Sequence, residues 1–233
     1  AGSTCWSTID TEGLAPGKAD PHYLNTGDPR GKQWVPAETD VSIRPGWFYH
    51  ASENDKVKSP GDLVNLYYQS VGRNSLLLLN IPPDPEGLLS KSDIRSIVEF
   101  RKILNQTFKL NLAAGAAPAV LTDNRLTSFE PLAPGGNLVV PFHKPVTFDR
   151  ILLMENITRG ERVSKGRLDY WDGKAWKKLA EFTTIGYKRL LRIPPVTTAK
   201  IRLTIESSYG KAEIAALGLY KASPLEDPVT SAP

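Results

Sequence analysis

Two carboxylates and an arginine lie close together in a proline-rich segment near the start of the chain. Glu38, Asp40 and Arg44 fall within seven residues, and Trp47 follows them after a Pro-Gly pair. Paired carboxylates can act as a general acid and a general base, so Glu38 and Asp40 are the first candidates for such a pair. A tryptophan on a loop can offer an apolar wall to a ligand. The segment therefore predicts a binding or catalytic loop.

Cysteine and histidine usage argues against several other chemistries. The 233 residues contain one cysteine, Cys5, which excludes an internal disulfide framework and a cysteine-rich metal site. The three histidines, His22, His50 and His143, lie far apart in the sequence, which disfavours a histidine-clustered metal enzyme. We therefore expect no metal and no cofactor. We also expect no membrane span, because no segment approaches the roughly 20 unbroken apolar residues that a spanning helix needs.

Charge is divided unevenly along the chain. The net charge is +4, but residues 1–107 carry −2 and residues 108–222 carry +8. In the basic part, lysines and arginines alternate with apolar residues, as in Lys200–Leu203, which is typical of a strand with one solvated face. No nucleic-acid-binding motif accompanies the charge, so we expect no nucleic-acid partner.

Helices and a strand alternate between residues 59 and 107, after 58 residues that are rich in turn formers and predict long loops. Ser59–Asp62 has a capping serine, a proline in the first turn and an acid at the third position, which predicts a helix start. The apolar run Ser75–Asn80 predicts a strand buried on both faces. A second helix is expected over about Ser92–Leu104, with its apolar residues on one face. This order is typical of an α/β barrel or a doubly wound sheet.

Short alternating segments follow Phe108, and turn residues separate them. They predict an antiparallel β-sandwich. The expected strands are Leu138–Pro141, Val146–Glu155, Gly166–Asp172, Arg189–Ile193, Ala199–Glu206 and Ala212–Lys221. The predicted organisation is an α/β part over residues 1–107, a sandwich over residues 108–222 and a frayed tail over residues 223–233.

The α/β part is too short for a whole barrel. A complete (β/α)8 barrel needs roughly 250 residues, whereas only 107 precede the β-rich part. The fold class predicted is therefore the C-terminal part of a (β/α)8 barrel followed by an antiparallel β-sandwich. Such a piece exposes apolar surface and unpaired strand edges. We expect the isolated chain to be insoluble or to need a missing N-terminal barrel segment as its partner.

Three stretches together resemble the α-L-fucosidases of glycoside hydrolase family 29. They are Trp34–His50, Tyr67–Asn74 and Leu77–Pro83, and the first is similar to the subgroup that prefers α-1,3/1,4-linked fucose. Residues 123–222 resemble the discoidin-like (coagulation factor 5/8 type C) sandwich, a galactose-binding-like jelly roll. The segments Ile151–Arg162 and Thr184–Arg189 carry this second likeness.

The resemblance implies a retaining exo-α-L-fucosidase that acts on fucosylated oligosaccharides or glycoconjugates through two carboxyl groups. The aspartate nucleophile and the glutamate acid/base of this family lie in motifs that the 233 residues do not contain, so no catalytic residue is expected in this chain. The implied substrate-binding residues are Trp47, Glu38, Asp40, Arg44, Tyr49 and His50. The implied location is periplasmic or extracellular.

Several of these residues also have a structural interpretation. Trp47 would otherwise anchor its loop in the core, and Arg44 would otherwise form an ion pair with a carboxylate. Glu38 and Asp40 favour contact with the sugar beyond fucose, whereas His50 favours holding the loop.

The roles of several other polar and aromatic residues are left open between packing and ligand binding. Asn80 is expected to orient a loop, and Trp6 and Trp34 are either aromatics of a sugar subsite or packing residues. Trp171 and Trp176 are expected to be one core tryptophan and one edge aromatic, with a sugar platform as the alternative.

Two other functions stay open for the whole chain. One is a non-catalytic carbohydrate-binding or adhesion protein, with its ligand site in the sandwich loops. The other is a glycosidase of another specificity in which Glu38 is the acid.

Overall fold

A computed structural model of the protein describes residues 1–15 and 17–226. Besides three short 3-10 turns, these residues form three α-helices and ten strands. In chain order they are β1 (Thr8–Ile9), α1 (Pro21–Thr26), β2 (Gln33–Trp34), β3 (Ala37–Ser42), α2 (Pro60–Gln69), β4 (Ser75–Asn80), α3 (Lys91–Thr107), β5 (Glu130–Leu132), β6 (Asn137–Glu155), β7 (Val163–Trp171), β8 (Trp176–Phe182), β9 (Arg189–Ser208) and β10 (Ala212–Tyr220). Residues 1–58 thus contain one short helix and three short strands where long loops were expected. None of the described helices is long and apolar enough to cross a membrane.

Serine residues cap both long helices, and the sequence predicts the first of these caps. Ser59 and Asp62 exchange hydrogen bonds in a capping box at the start of α2. The Ser90 hydroxyl accepts from the backbone N–H of Asp93 at the start of α3. The helix α3 continues past Leu104 to Thr107, whose hydroxyl takes part in hydrogen bonds with the segment that follows the last strand.

The strands β3 and β4 form a parallel pair in which Glu38 lies opposite Leu76 and Asp40 lies opposite Leu78. The prediction that β4 is buried on both faces is wrong for this chain. Leu76 is 58% exposed and Leu78 is 49% exposed. The physical reason is that β4 pairs with β3 along one edge only, and no described segment covers this face. Among the described residues the α/β part contains one parallel strand pair and no closed barrel.

The helix α3 shows the same lack of cover. Ile94 and Val98, which belong to its predicted apolar face, are 45% and 58% exposed. The face that packs inward carries Ile103 and Leu104 together with the polar Asp93. An apolar stripe of α3 therefore stays open to solvent in the described chain.

The second half of the chain forms one six-stranded sheet in the order β5-β10-β6-β9-β7-β8. Antiparallel pairing is confirmed, but the two separate sheets of a sandwich are not seen among the described residues. The reason is that four of the expected strands merge in pairs into the long strands β6 and β9. Register shifts interrupt their pairing, for example between Pro141 and Val146. Such bulges bend a strand without ending it, so one continuous sheet can curve around its own core.

Two hydrophobic clusters hold these parts together. The larger one lies within the six-stranded sheet, where Phe148, Leu168 and Ile201 have no exposed surface. The smaller one joins Tyr68 of α2 and Ile103 of α3 to the sheet through residues such as Leu190. Burial of apolar surface stabilises a fold by about 25 cal/mol per Å². The helices are therefore held on the sheet by apolar packing as well as by the covalent backbone.

The segment Ser223–Glu226 folds back onto the sheet, although residues 223–233 were expected to be a frayed tail. The Glu226 carboxylate accepts hydrogen bonds from Nε and Nη2 of Arg150 at 3.0 and 2.8 Å. Both side chains are buried, and removing one partner of such a pair would leave an uncompensated charge. This contact holds the start of the expected tail, and residues 227–233 lie outside the described residues.

Asn74 links the N-terminal segment to the sheet. Its side-chain amide donates to the Cys5 carbonyl at 3.0 Å and to Oε1 of Glu161 at 2.7 Å. Its side-chain oxygen, Oδ1, accepts from the backbone N–H of Tyr187 at 2.7 Å. Gly186 lies directly against this side chain and has a φ of +58°. The junction therefore leaves no room for a side chain at position 186.

We expect Gly186→Ala to lower the free energy of unfolding by about 2–4 kcal/mol. The added methyl group would collide with the Asn74 carboxamide, in a backbone conformation that L-residues rarely adopt. Denaturant titration against Gly135→Ala provides the control, because Gly135 has a φ of +78° with open space around it. That change should cost only about 1 kcal/mol. Equal losses in the two variants would contradict the importance of the Asn74 contact.

Candidate functional site

The strand β3 presents its two carboxylates on one face. Side chains two positions apart on a strand point the same way, and Glu38 and Asp40 are both exposed. Their parallel partners Leu76 and Leu78 are exposed as well. The result is an open surface on which two carboxylates lie beside two leucines.

The loop after β3 carries the exposed tryptophan. Trp47 is 50% exposed, while its backbone carbonyl accepts from Nδ2 of Asn80 at 3.0 Å. Asn80 also donates to Oγ of Ser42, which itself donates to the Gly46 carbonyl. The ends of β3 and β4 therefore hold the loop backbone and leave the Trp47 ring accessible. Asn80 has the loop-orienting role expected of it.

Arg44, one of the expected binding residues, is buried within the described chain. Its side chain has no exposed surface, and its Nε and Nη2 both lie 3.1 Å from Oδ2 of Asp93. Nη2 also donates to Oδ1 of Asn54 and to Oγ of Ser90, both at 2.8 Å. The structure favours the ion-pair interpretation of Arg44, which ties the loop to the start of α3.

Tyr49 and His50 contribute to the same structural network. The Tyr49 ring lies against the Arg44 guanidinium, 4.7 Å from its centroid, and the His50 carbonyl accepts from Nη1 of Arg44 at 3.2 Å. The His50 side chain remains exposed. Trp47, Glu38 and Asp40 are therefore the expected binding residues whose side chains are accessible around this loop, together with His50.

Sequence reasoning missed the partners that hold this loop in place. Asp93 and Ser90 lie 49 and 46 residues from Arg44 along the chain, and Asn54 lies 10 residues from it. Nothing in their local pattern points to Arg44. The one usable signal was Asp93 itself. An acid in the first turn of a helix stabilises the helix N-terminus, and it can also serve as the counter-ion of a distant arginine.

The remaining tryptophans divide between packing and exposure. Trp6 is buried and packs edge-on against Tyr209, with the ring centroids 5.5 Å apart. Trp34 is 65% exposed on β2. Neither Trp171 nor Trp176 is a core residue, so the prediction of a core tryptophan is wrong. Trp176 does lie on an edge strand, β8, as expected for an edge aromatic.

Trp171 and Trp176 instead face each other across strands, because the turn between β7 and β8 places them directly opposite. Both are half-buried, and their ring centroids lie 5.4 Å apart. Nζ of Lys200 lies 4.4 Å from the Trp171 ring, and the Arg202 guanidinium lies 4.7 Å from the Trp176 ring. The two cations therefore lie over the rings where a stacked sugar would bind.

A buried carboxyl group lies apart from the loop, where β6 meets the β8–β9 connection. Burial raises the pKa of Glu155 to about 7. The backbone N–H groups of Arg162, Val163 and Gly186 donate to its carboxylate and oppose this rise in the pKa.

No group of three or more histidine, cysteine or carboxylate side chains in the described part of the chain is arranged to hold a metal.

We expect the free energy of unfolding to fall by about 3 kcal/mol as the pH rises from about 4.5 to about 7. The unfolded chain releases the Glu155 proton at the lower pH, whereas the folded chain retains it until the higher pH. The stabilisation is therefore complete below the unfolded pKa and is lost through the folded pKa. Glu155→Gln should flatten this part of a pH series of denaturant titrations. Parallel profiles for the two proteins would contradict the assignment.

Comparison with known proteins gives a family match in the first half of the chain and similar proteins over nearly all of it. Residues 12–107 match the family model described as alpha-L-fucosidase. Over 94% of its length the chain is 37% identical to alpha-L-fucosidase 1 of Arabidopsis thaliana, of which it covers 47%. The chain spans about half the length of the curated relatives that it matches.

Solved structures give the same result. The crystal structure of SpGH29 superposes with a TM-score of 0.89 at 36% identity, over 96% of this chain and 52% of that one. A family 29 fucosidase of Ruminococcus gnavus, solved in complex with fucose, superposes with a TM-score of 0.83 at 29% identity, over 97% and 50%. All three comparisons thus find similarity to α-L-fucosidases of glycoside hydrolase family 29.

Proposed function

We propose that the chain is the C-terminal part of a retaining exo-α-L-fucosidase that removes terminal α-1,3/1,4-linked fucose from branched glycans. The observation that carries this proposal is the similarity over nearly the whole chain to family 29 proteins, one of them solved with fucose. The linkage preference rests on the resemblance of residues 34–50 to one subgroup of the family. The retaining mechanism rests on the family resemblance as well.

In this proposal the chain supplies one wall of the substrate site. The Trp47 ring would lie against the apolar C–H face and the methyl group of fucose, because it is accessible while its backbone is held by Asn80. Glu38 and Asp40 would bond to hydroxyl groups of the sugar beyond fucose. The nucleophile and the acid/base would come from a segment upstream of residue 1.

The upstream segment would also complete the barrel. The open edge of β4, the exposed Leu76 and Leu78 and the exposed stripe of α3 are surfaces that it would cover. The length of the relatives supports this, since the chain covers 47% and 52% of two of them. The six-stranded sheet would be an accessory domain of the discoidin-like type, and the enzyme would work in the periplasm or outside the cell.

A non-catalytic carbohydrate-binding protein is the weaker alternative. The family match lies in residues 12–107 and not in the six-stranded sheet, and a binding protein would leave this half of the chain without a role. The cations over Trp171 and Trp176 further reduce the area for sugar stacking on the sheet.

The direct test compares the chain with a longer protein that contains the upstream segment. We expect no hydrolysis of α-L-fucosides by the chain alone. The longer protein should release fucose with retained anomeric configuration, followed by NMR, and should prefer α-1,3/1,4 over α-1,2 linkages. Hydrolysis by the chain alone, or an inactive longer protein that is folded, would contradict the proposal.

Glu38→Gln in the longer protein tests whether Glu38 is instead the catalytic acid. We expect kcat/KM for methyl α-L-fucoside, whose poor leaving group needs a general acid, to stay within about tenfold of the wild type, because Glu38 is placed beyond the fucose unit. Loss of a general acid or base costs about 10²–10⁴-fold. A loss of that size, together with a shifted pH profile, would indicate that the catalytic pair lies in this chain. Asp40→Asn is the matched comparison.

A further inference from the structure

Three arginines surround a cavity of about 390 Å³ between the end of α2 and the strand β9. Its lining includes Arg73, Arg189 and Arg192, together with Ser3, Tyr68 and Gln69. Arg189 is 7% exposed, while Arg73 and Arg192 are half-buried. The one carboxylate in the lining, that of Glu181, lies 3.4 Å from Nζ of Lys178. The cavity thus has a strongly positive wall.

The three guanidinium groups have no anionic partner among residues 1–15 and 17–226. Every arginine ion pair within 4 Å in this part of the chain involves other arginines. The three arginines instead bond to neutral oxygens, those of Ala1, Ser3 and Asn65. Each guanidinium has five donors, so these single contacts leave most donors available.

A buried polar atom without a partner belongs to one of these arginines. Nε of Arg189 is buried with no hydrogen-bond partner in the described chain. A buried donor without a partner is costly, and a desolvated charge without a counter-ion costs more. An anion bound beside Arg189 would remove part of this cost.

The backbone places two of the cations directly opposite each other. Arg73 and Arg189 pair across an isolated antiparallel bridge, where like charges destabilise. Burial, together with the smaller effect of the Arg73 charge, lowers the pKa of Arg189 to about 10. Such a pair is stable when an anion lies between the two guanidinium groups.

We propose that this cavity is a binding site for the phosphate or sulfate group of a small ligand. Guanidinium groups present paired N–H donors that match the oxygens of such groups, and the Gln69 amide can bond to the remainder of the ligand. Arg73 precedes the first residue of β4, whereas the Trp47 loop follows the last residue of β3. Six-residue strands separate the two ends by about 20 Å, so this site does not depend on the proposed sugar wall.

Calorimetric titration of the full protein with sodium phosphate and with sodium sulfate at low ionic strength tests the site. We expect one saturable site per chain, and a binding constant weakened about tenfold or more in Arg73→Gln and in Arg192→Gln, since each removes a charge-assisted hydrogen bond. These half-buried arginines are chosen because the loss of the buried Arg189 could prevent folding. Arg159→Gln should bind as the wild type does, because Arg159 is 69% exposed and pairs with Glu213.

Three outcomes would overturn the proposal. They are the absence of saturable binding, equal affinities in all three variants, and a crystal structure of the longer protein in which one of its own carboxylates bonds to Arg189. A sugar phosphate and the matching sugar sulfate identify the source of the anion, since the site should bind one of them more tightly than the free ion. None of these outcomes depends on fucosidase activity.

Discussion

Arg44→Ala is expected to lower the free energy of unfolding by about 3–5 kcal/mol. The change leaves the Asp93 carboxylate buried without its counter-ion, and it also removes hydrogen bonds to Asn54, Ser90 and the His50 carbonyl. Denaturant titration of the folded protein gives the value. Because the loop that carries Trp47 depends on this network, the same variant should also show faster proteolysis at residues 45–50.

A double-mutant cycle separates the ion pair from the rest of the network. Arg44→Ala combined with Asp93→Ala should cost less than the sum of the two single changes, since the double variant buries no lone charge. Arg95→Ala on the exposed side of the same helix is the matched control and should stay within about 0.5 kcal/mol. A loss below about 1 kcal/mol for Arg44→Ala would contradict the role given to the pair.

Trp47→Ala in the longer protein should lower kcat/KM for α-L-fucosides by about 10–100-fold, which corresponds to the roughly 1.5–3 kcal/mol that burying an aromatic side chain contributes. Stability should change little, because the ring is half exposed while the loop backbone is held by Asn80. Steady-state kinetics and a denaturation curve measured on the same preparation separate the two effects.

Tyr187→Ala serves as the control for Trp47, because this aromatic residue is similarly exposed, at 47%, but lies in the sheet region. Its activity should match the wild type. If Trp47→Ala keeps full activity, or loses stability in proportion to its activity, the ring is a structural anchor and not a sugar contact.

Local sequence signals predicted the elements that depend on local contacts. The capping serines Ser59 and Ser90 begin α2 and α3 close to where the sequence indicates. Alternating residues also located most strands of the six-stranded sheet. Burial was predicted less well, because it depends on which distant segments cover a surface. The leucines of β4 have the composition of a buried strand, yet they are exposed where no neighbouring strand is present.

The candidate site shows the same limit. The segment from Trp34 to His50 could be singled out, since carboxylates, an arginine and aromatics cluster within it. The division of that cluster into exposed and buried members could not be predicted. It depends on Asp93, 49 residues from Arg44 along the chain, and on the strand ends that orient the Trp47 loop. Likewise, the cations over Trp171 and Trp176 come from β9 and leave no trace in the local pattern.

The central claim is that this chain shares an active site with an upstream barrel segment, and the mass of the native protein tests it most directly. Material from the original source should be measured under native and under denaturing conditions. The account predicts a particle that contains an additional segment of barrel size, about as long again as this chain, since the relatives are about twice its length. A folded, monomeric particle of 25.6 kDa would contradict it.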